Sequence, residues 1–379
     1  MLKFIRKTLV LILIIYVALF GLTKVIRYPE PIAAIKLGLA PASKTPDLMP
    51  AHTIAAAVTP VLWKTANEAM PATVNFEGAS ISFDEFLAST HTNAFLVIRD
   101  GVITYEKYLN GMGAQSRLPS YSVAKTMTSL MIGKLIDNGQ LKESDTFVSI
   151  LPAFKAGTTF DNVTIKDLLD MEAGVGVSDN YPTGPSGWGV AIAQMYASTD
   201  VDWFLMHNRK MREVPGVFAE YRSVDTQMLG MVIKKITNKS LVDFFGENIW
   251  QKVGTAHTAT WNVDRVGGTE KAFCCFNATA RDYALVGAEL IKPASTIISS
   301  TWLRRISTPA VTLDYGWGYG AQVWHPYAGI NLMLGLHGQF VWMDQSNKTV
   351  IVKLSDEPTS SDGRSERVAP VLKLISEQN

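Results

Sequence analysis

"RLPSYSVAKTMTSLMIGKLIDNGQL" occupies Arg117–Leu141. A polar turn gives way to an apolar helix, and Ser122 and Lys125 stand three residues apart where the change occurs. Positions i and i+3 share one face of a helix, so the serine hydroxyl and the lysine amine can meet. The first backbone N–H groups of a helix point outward and its local dipole is positive, which favours an oxyanion and disfavours an ammonium. A lysine partly desolvated there can be neutral and take the serine proton. The same residue types would suit a capping serine and a solvated lysine. The context favours chemistry, because the pair follows a strand hairpin and its lysine directly precedes a face built for burial.

Outward from this stretch, "NAFLVIRDGVITYEKYLNG" (Asn93–Gly111) is a hairpin signal, two β-rich runs around Asp100-Gly101. "VTIKDLLDMEAGV" (Val163–Val175) reads as a capped helix ending near Gly174. The loop "GVGVSDNYPTGPSGWG" (Gly174–Gly189) is long and rich in Gly and Pro, as functional loops often are. Helical patterns dominate from about Val190 to Lys292. Period-two alternation then returns in "YGAQVW", "INLMLGLHGQFVWMDQ" and "KTVIVKLSD", and "ERVAPVLKLISE" closes the chain as a helix. The expected fold is mixed α/β (α+β). A mostly antiparallel sheet comes from about 80–120 and 293–379, flanked by helices, and an α-rich subdomain is inserted at about 123–292. A site belongs where the two lobes meet.

Hydrophobic residues are 47% of the 379-residue chain, enough for a real core. Lys plus Arg number 35 against 34 Asp plus Glu, and no basic stripe carries interleaved aromatics, so nucleic acid is not an expected partner. The six His show no metal-ligand spacing, and no metal or cofactor is expected. The two cysteines are the neighbours Cys274 and Cys275. Adjacent cysteines rarely form a structural disulfide, and none is expected here.

The first 26 residues form a separate segment, and 27–379 the catalytic domain. "MLKFIRK" carries Lys3, Arg6 and Lys7 ahead of an apolar run from Thr8 to Thr23. The run is short for a membrane span unless Lys24 reaches the interface. No small-x-small cleavage site follows it, so the expectation is a retained single-pass anchor. The basic start places the N-terminus in the cytoplasm and the domain on the periplasmic, exoplasmic side of an inner membrane. A cleaved signal, with release to the periplasm, is the alternative.

"SYSVAKTMTSLMIGKLIDNGQLKESDTFVSILP" (Ser120–Pro152) resembles the nucleophile segment of the serine β-lactamase and penicillin-recognising family. Three further segments match in order: "VTIKDLLDMEAGV", "PGVFAEYRSVDTQMLGMVIKKITNKSLVDFFGENIWQKVG" and "NATARDYALVGAELI". The resemblance runs from about Ala94 to Glu377 and implies a β-lactamase/transpeptidase-like fold. It implies Ser122 as nucleophile, Lys125 as base and Tyr221 as proton relay, since Tyr221-Arg222-Ser223 stands where class C-like enzymes carry Tyr-x-Asn.

Ser223 in place of that Asn is a departure, and so is the missing Lys-Thr-Gly motif. Met333-Leu334-Gly335 is the preferred equivalent and His337-Gly338-Gln339 the alternative. In the preferred register the N–H of Leu336 joins that of Ser122 in the oxyanion hole. His337 is then a candidate replacement for the lost cation in substrate binding. These departures resemble the 6-aminohexanoate-dimer hydrolase and esterase branch of the family. That likeness implies a loop tyrosine, Tyr181, at the scissile bond, and Trp324 is a candidate pocket wall. The implied function is acyl-enzyme hydrolysis of a small amide or ester. β-Lactamase or D-amino-acid peptidase activity is one alternative, and a membrane-tethered penicillin-binding or sensor protein without turnover is another. Oligomeric state is not readable from the sequence.

Overall fold

Asp100 and Gly101 both take positive φ, 47° and 76°, and turn strand β1 (Thr92–Arg99) into β2 (Val102–Tyr108). The chain here is a computed structural model that describes residues 1–179, 192–358 and 364–378. Far along the sequence, β3 (Ile330–Gly335), β4 (Gln339–Asp344) and β5 (Thr349–Ser355) form a meander. β5 pairs antiparallel with β1, Val350 opposite Ile98 and Val352 opposite Leu96. The two ends of the domain thus share one sheet. Short strands at 311–312, 318–320 and 323–325 extend it beyond β3, and 64–65 adds a parallel strand beyond β2, nine strands among the described residues.

Alternation along these strands feeds two cores. Leu96, Ile98, Val341, Met343, Val350 and Val352 join one apolar cluster; Phe95, Val97, Phe340, Trp342 and Ile351 join another. A sheet buried on both faces needs a helical layer on each.

Helix α1 (Leu2–Val25) stands apart, its apolar side chains exposed. Helix α2 (Val123–Asp137) is buried nearly all round and is pressed so closely to its neighbours that a Cβ on Gly133 would fall 2.2 Å from the Trp302 ring. α3 (Ser223–Thr237) ends in a left-handed Asn238, a common C-terminal cap, and packs on α2. α4 (Ala280–Leu290) lies on the first face of the sheet, where a Cβ on Gly287 would meet Val350 at 2.9 Å. α5 (Arg364–Ser376) covers the second face through Val368, Ala369, Leu372 and Ile375.

The helical region also contains strands 259–262 and 276–278. With 51–54 and 118–119 they build a separate four-stranded sheet. Its last strand, Leu118–Pro119, leads straight into α2 and so fixes where that helix begins.

Candidate active site

The turn before α2 is held from three sides. The Ser120 amide donates to the Phe276 carbonyl at 2.7 Å, and the Phe276 amide donates to Ser120 Oγ at 3.2 Å. Tyr121 follows with φ 44°, a left-handed conformation that costs a non-glycine residue about 1–3 kcal/mol unless its surroundings enforce it. Its ring is clamped by His337 (4.7 Å between centroids) and Tyr196 (6.4 Å). The strained residue delivers Ser122, half-buried, to the N-cap of the helix.

One turn later Lys125 is only 1% exposed. Its Nζ donates to Ser122 Oγ at 3.0 Å, to Ser223 Oγ at 2.7 Å and to the Phe273 carbonyl at 3.1 Å. Three protons meet three acceptors. Burial pulls its pKa down to about 8, although Asp179 and Asp225 oppose the shift. If one proton leaves, two N–H groups can stay on Ser223 and Phe273 while the lone pair faces Ser122.

Ser223 opens α3, and both of its donors go to Asp179: its amide donates to Oδ1 at 2.7 Å and its hydroxyl to Oδ2 at 2.6 Å. The Asp179 pKa is raised by burial, with Lys125 and the two Ser223 donors acting the other way. Arg222 is buried too, donating to the Val175 carbonyl and to Glu220 Oε2 (2.6 Å). Asp225 lies near it; burial pushes its pKa well up, and neither carboxyl oxygen has a hydrogen-bond partner among the described residues.

Tyr221 precedes this segment. Its ring stacks on Trp324 (5.3 Å) and meets Tyr319 edge-on (5.9 Å), and Lys125 Nζ lies 4.9 Å from its centroid. Trp324 is buried and forms the back of this aromatic group, which also includes Trp317.

The end of β3 closes the site. A Cβ on Gly335 would fall 2.3 Å from the Ser120 carbonyl and 3.1 Å from the Ser122 amide, so only glycine allows the strand this close. A Cβ on Gly338 would instead meet Glu357, which places Gly335, of the two candidate glycines, at the Ser120–Ser122 turn. Leu336 follows it. Met333 is buried in the same apolar cluster as Met127 and offers no cation. His337 Nδ1 bonds the Glu357 carbonyl at 2.6 Å, and burial lowers the pKa of the ring, so it is neutral near pH 7. Tyr181 lies outside the described residues.

Ser122, Lys125, Tyr221, Trp324 and the Gly335–Leu336 strand end therefore come together from segments far apart in the sequence. The reading of the cysteines needs correction: Cys274 and Cys275 are joined in a disulfide. The pair sits in the tight turn between Phe273, which faces Lys125, and Phe276, which holds Ser120, with Cys275 at φ 70°. General rarity of adjacent pairing was outweighed by this local turn. Two groups were missed altogether. The Phe273 carbonyl is backbone and leaves no residue-type signal. Asp179 sits in the Gly/Pro-rich loop, and its only signal was an acid in a loop already suspected of function.

The sequence matches the family profile described as Beta-lactamase over residues 82–373, well over half of the chain. The chain belongs to the β-lactamase family, and it is a serine hydrolase. Its sequence is 27% identical over 301 residues to a 6-aminohexanoate-dimer hydrolase of Paenarthrobacter ureafaciens, covering 73% of this chain and 75% of that protein. Its fold is similar to that of a Bacillus anthracis protein assigned as a 6-aminohexanoate-dimer hydrolase, with a TM-score of 0.78 and 23% identity, over 92% of this chain and 94% of the other. It is also similar in fold to EstCE1, a hydrolase with promiscuous acyltransferase activity, with a TM-score of 0.63 and 15% identity, over 77% of this chain and 96% of the other.

Proposed function

We propose that this β-lactamase-family hydrolase cleaves a small amide or ester through an acyl-enzyme, with Ser122 as nucleophile, Lys125 as its base and Tyr221 as proton donor to the leaving group. One observation carries the reading: a lysine that is 1% exposed stands 3.0 Å from the Ser122 hydroxyl. Neutral Lys125 takes the hydroxyl proton as Ser122 Oγ bonds to the substrate carbonyl carbon. The carbonyl π pair moves onto oxygen, where the amides of Ser122 and Leu336 receive the negative charge. As the tetrahedral intermediate collapses, the bond to the leaving nitrogen or oxygen breaks. Tyr221 protonates that atom and regains a proton from Lys125, 4.9 Å from its ring centroid. Water then attacks the acyl carbon with the same groups in reverse roles. It releases the acid and restores Ser122.

Amide and ester substrates are both supported, the first by the relative named as a 6-aminohexanoate-dimer hydrolase and the second by the aromatic group of Tyr221, Tyr319 and Trp324 beside Lys125. The exposed α1 supports a membrane anchor, and Lys3, Arg6 and Lys7 at its start support a domain on the exoplasmic side.

Continuous turnover of p-nitrophenyl butyrate that disappears in Ser122→Ala is the expected result. A single stoichiometric burst would replace this reading with a binding protein that acylates without turnover.

A further inference from the structure

Lys125 Nζ, Ser223 Oγ and Asp179 form a continuous chain of contacts, 2.7 Å and then 2.6 Å, leading away from Ser122. Direction is fixed along it. Asp179 receives both the amide and the hydroxyl proton of Ser223, so the Ser223 oxygen can only accept from Lys125. We infer that Asp179 is a positioning residue for acylation: by holding the Ser223 hydroxyl proton it turns the Ser223 lone pair to Lys125, and so aims the Lys125 lone pair at Ser122. This rests on the proposed roles of Ser122 and Lys125 and adds Ser223 and Asp179 behind them.

The physical need is specific. A neutral amine with a free choice of partners can spend its lone pair on a hydroxyl that donates. Ser223 would be such a hydroxyl if its proton were not already taken. Of the three groups that Lys125 Nζ touches among the described residues, Ser223 has its proton committed to Asp179 and the Phe273 carbonyl can only accept, which leaves Ser122 to donate. Asp179 also adds a negative charge behind the base. The other ionisable or charged groups around it are Arg222, Asp225, Tyr221 and Tyr319, with Asp167 and Asp170 beyond them. Burial pushes the pKa of the Asp225 carboxyl well up. The two Ser223 donors and Lys125 favour the charged form of Asp179 against the upward pull of burial.

The test is kcat/KM for p-nitrophenyl butyrate against pH in Asp179→Asn, with circular dichroism and melting to confirm folding. An asparagine amide can donate to Ser223 and reverse the hydroxyl, so the plateau should fall about 10²-fold. Loss of the negative charge makes the ammonium less favourable, so the acid limb should move to lower pH. Asp179→Glu keeps the charge and should leave the limb near its wild-type position. Asp179→Asn in a Ser223→Ala background should lower the plateau by less than about threefold more, because the carboxylate acts through Ser223. Wild-type plateau activity in Asp179→Asn, a loss with an unmoved limb, or fully additive losses in the double variant would each overturn the inference. Should Asp179→Asn fold poorly, the limb position in Asp179→Glu and the activity of Ser223→Ala decide in its place: a limb moved downward in Asp179→Glu, or wild-type activity in Ser223→Ala, overturns it. Activity retained in Ser122→Ala or Lys125→Ala is a separate outcome that removes the underlying roles.

Discussion

Gly335 and Ser122 touch through backbone alone: a Cβ on Gly335 would lie 3.1 Å from the Ser122 amide nitrogen and 2.3 Å from the Ser120 carbonyl oxygen. Neither obstacle is a side chain that can swing away. Gly335→Ala must therefore push the end of β3 off the nucleophile turn, at a cost of about 1–3 kcal/mol. It should also widen the proposed oxyanion hole between Ser122 and Leu336. The expected outcome is a loss of kcat/KM of about 10²-fold, with a smaller effect on KM. A variant that melts lower but turns ester over normally would mean that Leu336 is not a donor to the oxyanion.

The pH profile has a definite sign. Lys125 must be neutral to take the Ser122 proton, and burial draws its pKa from 10.5 to about 8. The protonated form predominates below that value and is inactive, so kcat/KM should rise with pH through about 8. A rise centred near 10.5 would indicate a solvated lysine, and a flat profile would exclude Lys125 as the base.

Tyr221→Phe keeps the ring that stacks on Trp324 at 5.3 Å and removes only the hydroxyl. Melting temperature should barely move. Ester kcat should fall about 10²-fold or more, with the larger loss for amides, whose leaving group needs the proton most. Equal rates for both substrate types in wild type and variant would show that the phenol is not the donor.

Much of this was legible in the sequence because it depends on local pattern. The Asp100-Gly101 turn, the Ser122–Lys125 spacing and the period-two runs near the C-terminus are such patterns, and the strands they specify pair as β5 on β1. What was not legible depends on contacts between distant segments. Asp179 meets Ser223 across 44 residues, and Lys125 meets the Phe273 carbonyl across 148, with no periodicity linking either pair. The Cys274–Cys275 bond was missed for another reason: it follows from a local backbone conformation, Cys275 at positive φ, that residue identity does not encode.

Helix α1 contributes little to the domain. The Arg27 carbonyl accepts from the Thr199 amide at 2.8 Å, and Tyr16 bonds Glu30 at 2.9 Å, but the apolar faces of α1 remain exposed. The chain beginning at Tyr28 should be soluble and keep kcat/KM within about twofold. The full chain should pellet with membranes and resist carbonate extraction, with a C-terminal reporter on the exoplasmic side. Recovery of a shortened soluble chain from the periplasm would show a cleaved signal instead.

Substrate preference follows from what the site lacks. A lysine in a Lys-Thr-Gly motif would offer a cation to the carboxylate of a β-lactam or peptide terminus; here the equivalent residue is Met333, buried among apolar side chains. His337 does not replace it. The ring is committed through Nδ1 to the Glu357 carbonyl at 2.6 Å, and burial lowers its pKa, so it brings no charge near neutral pH. Ser223, where related enzymes carry Asn, is occupied by Lys125 and Asp179 and has no spare donor for a substrate amide. The proposed nucleophile Ser122, the proposed base Lys125 and the proposed backbone donors are untouched by these changes. Transition-state stabilisation should survive while binding of anionic ligands weakens. Short acyl esters, or amides without a required carboxylate, should therefore turn over faster than penicillins. The comparison is kcat/KM for p-nitrophenyl butyrate against nitrocefin on the chain beginning at Tyr28. A ratio favouring nitrocefin would mean that a cation outside this set anchors the carboxylate, and would return the enzyme to β-lactamase chemistry.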